Sequence, residues 1–167
     1  MAFRAAMTGH QVYSTLHTNS AIGAIPRLQD LGVLPDIMSG NIIGVVAQRL
    51  MRRLCLQCKE SYQPADPMTR RVLGVDADWH GEIFRSVGCV QCENTGYKGR
   101  VAIMELFKMD SDMDELIARR ATGREFRDAA RKTGFRTLAE DAVSRVLDGQ
   151  TSLEEISRIV DLTDRIV

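Results

Sequence analysis

Aromatic residues are scarce in this 167-residue sequence: one Trp, three Tyr and five Phe, so aliphatic side chains and eight Met must fill any interior. Net charge is absent as well, because 22 Lys and Arg balance 22 Asp and Glu. With no global field and few rings to stack on bases, the composition argues against a nucleic-acid binder or a membrane-surface protein. No apolar run approaches the length of a transmembrane helix, and no secretory signal opens the chain. Cysteine is missing everywhere except residues 55–92, so thiol chemistry of whatever kind is confined to that stretch.

What that stretch holds is two pairs, Cys55-Leu56-Gln57-Cys58 and Cys89-Val90-Gln91-Cys92. Two intervening residues let both sulfurs of a pair reach one ion from a single tight turn. Two such turns complete the tetrahedral thiolate shell of Zn²⁺. Gly96 follows the second pair, where a left-handed backbone turns amides toward the thiolates. Thirty residues separate Cys58 from Cys89, more than a simple zinc ribbon needs, so the insertion reads as a small loop-and-helix module closed at its neck by metal. Redox dithiols and a pair of disulfides are the competing readings. The first lacks the Trp and Pro of a thioredoxin-type site, and the second requires an oxidising compartment.

Hydrophobic content is ordinary for a folded protein, and the length admits one domain or a few small ones. Residues 2–8 read as the tail of a helix whose beginning is missing. Gln11–His17 reads as a strand buried on both faces. Thr18-Asn19-Ser20 then caps a helix to about Leu31, kinked or broken near Ile25 by Pro26 and stopped at Gly32. Pro35 opens a second helix whose apolar face is Ile37, Met38, Ile42, Val45 and Val46. Arg49–Leu54 leads as a strand into the first cysteine pair. In the insertion, Asp66-Pro67 starts a short helix that stops at Gly74, and Trp79, Ile83 and Phe84 form a small apolar patch. Val101–Phe107 is a strand, expected to pair antiparallel with the one before Cys55, with the module hanging off their end.

Beyond Asp110 the chain reads as helical. Ser111 precedes Asp114, and Thr122/Glu125, Thr137/Glu140 and Thr151/Glu154 have capping-box spacing. Gly134 and Gly149 are the stops. Leu138, Ala142, Val143, Val146 and Leu147 mark one buried face, and Leu153, Ile156, Ile159 and Val160 another. The fold class is therefore an α/β remnant, a tetracysteine module and a C-terminal helical bundle. Arg49, Arg52 and Arg53 read as a solvated strand edge. Lys98 and Arg100 flank the second knuckle without enough aromatic or basic company for nucleic acid. His80 is a surface residue rather than a fifth ligand.

Histidines bracket the first strand in Thr8-Gly9-His10-Gln11-Val12-Tyr13-Ser14-Thr15-Leu16-His17-Thr18-Asn19, and His17 and Asn19 fall at its C-terminal end, where open α/β sheets bind ligands. On pattern alone His10 caps a turn and His17 is a satisfied core residue. The segment closely resembles the histidine box of the type II secretion and type IV pilus assembly ATPases (the GspE/PulE/PilB family). The resemblance continues through Gly44–Cys55, Gly88-Cys89, Gly96-Tyr97-Lys98-Gly99-Arg100, Glu105-Leu106-Phe107 and Leu153–Ile156, essentially the whole chain.

That resemblance implies a hexameric, Mg²⁺-dependent ATPase with a RecA-like core, which drives a membrane assembly that builds pilus or pseudopilus fibres. It implies His17, and second His10, as accessory residues sensing the terminal phosphate. It implies as partners the other subunits of a homohexamer and an inner-membrane platform protein, with cytoplasmic, peripheral localisation and no nucleic acid. The Gly-x-x-x-x-Gly-Lys-Ser/Thr loop and an acidic Walker B strand, which the family carries upstream of the box, are missing here. Without them there is no phosphate cradle and no Mg²⁺ ligand, so ATP and Mg²⁺ belong to the parent and no hydrolysis is expected of this chain alone. The expected division is residues 1–54 as the end of the RecA-like domain, 55–100 as the metal module, and 101–167 as a strand and helical domain. A stand-alone zinc-dependent interaction module that docks on the platform protein is the alternative.

Overall fold

The computed structural model describes residues 2–166. The chain divides into two compact units. One holds residues up to Ala47 together with Glu105–Arg136, and the other holds Gln48–Met104 together with Thr137 onward.

In the first unit, α1 (Ala2–Met7) ends at Thr8, whose hydroxyl donates to Ala5 O at 2.8 Å. Residues 10–18 then form no strand, and most of them, His10 and His17 included, are exposed. This corrects the expectation of a buried strand. A strand is stable only where a neighbour supplies its ladder, and the two ribbons that form the sheets of the described residues do not include this segment. Helix α2 (Ala24–Asp30) begins later than expected, so Pro26 falls in its first turn, where a missing N–H costs nothing and no kink is needed. Helix α3 is only Pro35–Met38. Gly40, at φ 71, ends it, and the β-branched Val45 and Val46 enter strand β1 (Gly44–Leu54) instead of extending a helix.

Strand β4 (Tyr97–Lys108) pairs with β1. Met109 N–H donates to Ile43 O and Cys55 N–H to Gly96 O, so one strand ascends as the other descends, in an antiparallel ribbon. Twelve steps separate Ile43 from Cys55 but thirteen separate Gly96 from Met109, so β4 carries one extra residue. Gly99, at φ 80, is the residue of β4 in the left-handed conformation, which matches the G1 type of bulge. On the first unit's part of β4, Phe107 is buried and meets Phe126 and Phe135 edge-on at 6.2 and 6.0 Å. Phe126 comes from α6 (Gly123–Lys132), which follows α5 (Ser111–Ala118). The cap of α5 is Asp110, one residue before the expected Ser111. The Thr122/Glu125 box forms as read, and its amide and hydroxyl donors, with Arg119, hold the Glu125 carboxyl at about 2.

In the second unit, β2 (Glu60–Tyr62) and β3 (Ile83–Arg85) form an antiparallel hairpin ribbon around α4 (Pro67–Leu73). Asp66 caps α4 by accepting from Thr69 N at 2.8 Å. Val72, Leu73 and Ile83 are this insertion's buried apolar residues, while Trp79 and Phe84 are only half-buried. Helix α7 (Leu138–Leu147) has the expected Thr137/Glu140 box, although Leu147 stays exposed. Helix α8 (Leu153–Ile159) is capped by Ser152 rather than Thr151: the Ser152 hydroxyl accepts from Glu155 N.

That one-residue shift has a tertiary cause. Thr151 donates its hydroxyl to Arg52 O at 2.9 Å, and Leu54 N donates to Gln150 O at 2.9 Å. Buried Glu155 accepts from Arg52 N at 2.9 Å and Arg52 Nε at 2.8 Å. The Arg52 guanidinium also lies 4.1 Å from the centre of the Tyr97 ring, whose hydroxyl sits 2.8 Å from Ser152 Oγ. Arg52 is thus clamped, which corrects its reading as part of a solvated edge. Burial raises the Glu155 pKa, but the Arg52 donors outweigh it and hold the carboxyl below its ordinary range. A lowered folded-state pKa gives stability that is present above the unfolded carboxylate value and lost as pH falls through the folded one. Arg52→Ala is expected to cost about 1–3 kcal/mol in urea unfolding at neutral pH, since it leaves a buried carboxylate short of donors. Glu155→Gln should be less stable than wild type at pH 7 and should lose less further stability on acidification; equal acid limbs for the two proteins would contradict this assignment.

Candidate metal centre and histidine segment

Four cysteine sulfurs lie within 4.8 Å of one another. Cys55–Cys89 is 3.9 Å, and Cys58–Cys92 and Cys89–Cys92 are each 3.8 Å. A tetrahedral ion bound to sulfur at ~2.3 Å places its ligands ~3.8 Å apart. These separations fit that shell and greatly exceed the ~2.05 Å of a disulfide, so all four cysteines are free thiols able to hold a metal ion.

Each knuckle is shaped by its own backbone. Cys55 lies at the end of β1, and its carbonyl accepts from Cys58 N and Lys59 N at 3.3 and 3.0 Å, which curls the second sulfur back. Cys89 precedes a 3₁₀ turn over Val90–Cys92, after which Glu93 and Asn94 adopt φ 53 and 59. Cys92 Sγ accepts from Cys89 N and from Gly96 N, both at 3.2 Å. Burial alone would raise the Cys92 pKa; the two amides and the Cys89 and Cys58 thiols bring it down to about 6. Cys58 moves the other way, to about 12: burial raises it most, the Gly88 backbone opposes, and the hydrogen bonds with the other three thiols raise it further. Four thiols this close cannot all ionise without mutual repulsion, which a bound cation would offset.

Lys59 fastens the first knuckle: its ammonium donates to Gly149 O at 2.8 Å and stands 4.0 Å from the Phe84 ring centre. His80 is exposed and is not among the clustered ligands. The histidine segment belongs to the first compact unit and the cysteines to the second. His10 Nδ1 lies 3.0 Å from the Thr8 hydroxyl, and His17 is exposed. Sequence reasoning missed the Arg52–Glu155 clamp beside the centre, because Leu153-Glu154-Glu155 fits a capping box in either of two registers.

These features define a chain of α/β content that carries a cluster of four cysteines able to hold a metal ion. The chain belongs to the type II/IV secretion system protein family, whose description matches residues 1–158. It is 44% identical over 158 residues to the type IV pilus assembly ATPase PilB of Thermus thermophilus, covering 93% of this chain and 18% of that protein. It is 44% identical over 159 residues to the type II secretion system protein E of Pseudomonas aeruginosa, covering 95% and 31%. Similarity to the type IV pilus assembly ATPase PilB of Myxococcus xanthus is 37% over 155 residues, covering 92% and 27%. The chain therefore spans less than a third of the length of these relatives. Among the described residues no helix is long and apolar enough to cross a membrane.

Gly96 gives the centre a sharp test. It sits at φ 76, and a Cβ there would meet Ser86 Cβ at 2.6 Å. Gly96→Ala should destabilise the module by about 2 kcal/mol or more and let a chromogenic chelator strip metal faster than from wild type. Unchanged stripping kinetics would mean that the Gly96 amide does not shape the site.

Proposed function

We propose that this chain works as the C-terminal part of a hexameric, Mg²⁺-dependent motor ATPase with a RecA-like core, coupling ATP hydrolysis to assembly of pilus or pseudopilus fibres and to protein export. The observation that carries the reading is a tetrathiolate cluster of tetrahedral dimensions in a chain that matches this family almost end to end. Cys55, Cys58, Cys89 and Cys92 would hold a structural Zn²⁺, which supplies a cross-link and no reaction chemistry. Val72, Leu73 and Ile83 are a small core for the insertion, so the ion's contribution of roughly 10 kcal/mol or more is what keeps its neck closed.

Nucleotide and Mg²⁺ are handled by the parent's phosphate loop and acidic strand. His17, with His10 second, senses the terminal phosphate by donating a hydrogen bond to it. The working partners are the other subunits of a homohexamer and an inner-membrane platform protein, which holds the motor on the cytoplasmic face of the membrane.

The test has two arms. Purified without added metal, the chain should carry one zinc per molecule, and Cys89→Ser should lose both the zinc and the fold of residues 55–100. Metal-free protein with free thiols and an intact fold would end the zinc assignment. In the second arm, the chain replaces the matching segment of the Pseudomonas aeruginosa type II secretion protein E. The chimera should hydrolyse ATP and support export while the isolated chain does neither, and His17→Ala in the chimera should lower turnover by about 10²-fold with assembly intact. Hydrolysis by the isolated chain, or a fully active His17→Ala chimera, would sink the corresponding role.

A further inference from the structure

We propose that a notch at the base of the two cysteine knuckles binds an acidic peptide segment of a partner protein, one that carries an apolar side chain between carboxylates. The notch has a volume of about 560 Å³; its polar lining is Arg53, Lys98, Gln57 and Gln91, and its floor is Leu54, Leu56 and Cys55 of the cysteine cluster. No carboxylate is among its lining residues.

The ribbon register brings the two cations together. Cys55 N–H donates to Gly96 O, and two further steps along each strand set Arg53 opposite Lys98, ahead of the bulge at Gly99. Like charges directly opposite on an antiparallel pair repel. Neither has an ion-pair partner among the described residues, and both are exposed. Their repulsion is relieved by a ligand that places negative charge between them. The planar fork of Arg53 suits a carboxylate, with Lys98 supplying a second point of attraction.

The surroundings select a peptide over a simpler anion. Leu56, which lines the notch, is 63% exposed, an apolar side chain held out to solvent between the polar groups. Inorganic phosphate would leave Leu56 wet, whereas a peptide side chain covers it, and desolvated apolar anchors carry much of the energy in small interfaces. An anionic bilayer is recognised by larger clusters, about four to eight Lys or Arg, than the two cations that line this notch. The proposal needs folded knuckles and does not depend on the motor reading: a failed ATPase chimera leaves peptide binding measurable.

The experiment uses the full zinc-loaded chain and fluorescence anisotropy with a labelled Glu-Glu-Leu-Glu-Glu peptide. Expected is saturable binding that weakens with salt, with affinity falling about tenfold or more in Arg53→Glu and in Lys98→Glu. Arg71→Glu makes the same charge change at an exposed position on α4 outside the notch and should leave binding unchanged. Zinc content and circular dichroism check each variant, and Arg53→Gln and Lys98→Gln replace any that misfolds. Absence of saturable binding overturns the proposal. So does equal binding of Gln-Gln-Leu-Gln-Gln, an equal loss in Arg71→Glu, or full displacement of the peptide by inorganic phosphate at matched ionic strength. Sedimentation with phosphatidylglycerol vesicles, without peptide binding, would assign the notch to a membrane surface instead.

Discussion

Four sulfurs within 4.8 Å of one another pose a charge problem that shapes the second compact unit. Protonated, they are four weak donors crowded around a point; ionised, they are four like charges that repel one another at close range. The surrounding backbone is arranged for the ionised form. Amides of Cys89 and Gly96 point at Cys92, and the left-handed residues Glu93, Asn94 and Gly96 exist to turn that backbone. These amides lower the cost of charge without removing it, so the geometry makes sense as one half of an ion site.

The other constraint on this unit is how the knuckles are anchored. The turn between α7 and α8 grips the end of β1 at four places: Gln150 accepts from Leu54, Thr151 donates to Arg52, Glu155 takes the Arg52 guanidinium, and Gly149 accepts from Lys59 just past Cys58. Every one of these contacts joins residues about a hundred positions apart to the residues flanking the first two cysteines. Loop-closure entropy on that scale is lost once, on folding, and each added contact then comes at little further entropic cost. The anchoring is therefore cooperative, and damage to one contact weakens the hold of the rest on Cys55 and Cys58.

Local signals were legible in the sequence where the physics is local. The pairs Thr122/Glu125 and Thr137/Glu140 cap the helices they were read to cap, because a capping box is satisfied within four residues. The cysteine spacing likewise predicted the cluster. Reading failed where a distant group decides. Ser152 displaces Thr151 as a cap because Arg52 recruits both Thr151 and Glu155. Residues 11–17 have strand chemistry but no ladder, and no property of those residues alone reveals that. For α3, apolar spacing over Ile42–Val46 suggested a longer helix, yet Gly40 and the β-branched pair outweighed it. The histidine segment was identified through resemblance, since two histidines seven residues apart carry little chemistry by pattern.

The bulge at Gly99 sets something like a reading frame for β4. Downstream of it Ile103, Glu105 and Phe107 are buried while Met104, Leu106 and Lys108 are exposed. Side chains alternate along a strand with period two, so the parity of that alternation relative to β1 is fixed by the one extra residue. Removing it would act as a frameshift written in space rather than in codons: every later side chain would be asked to exchange inside for outside, or the whole pairing would have to slip. A single glycine, with open space where a Cβ would stand, thus sets the phase of the side chains that follow it along β4.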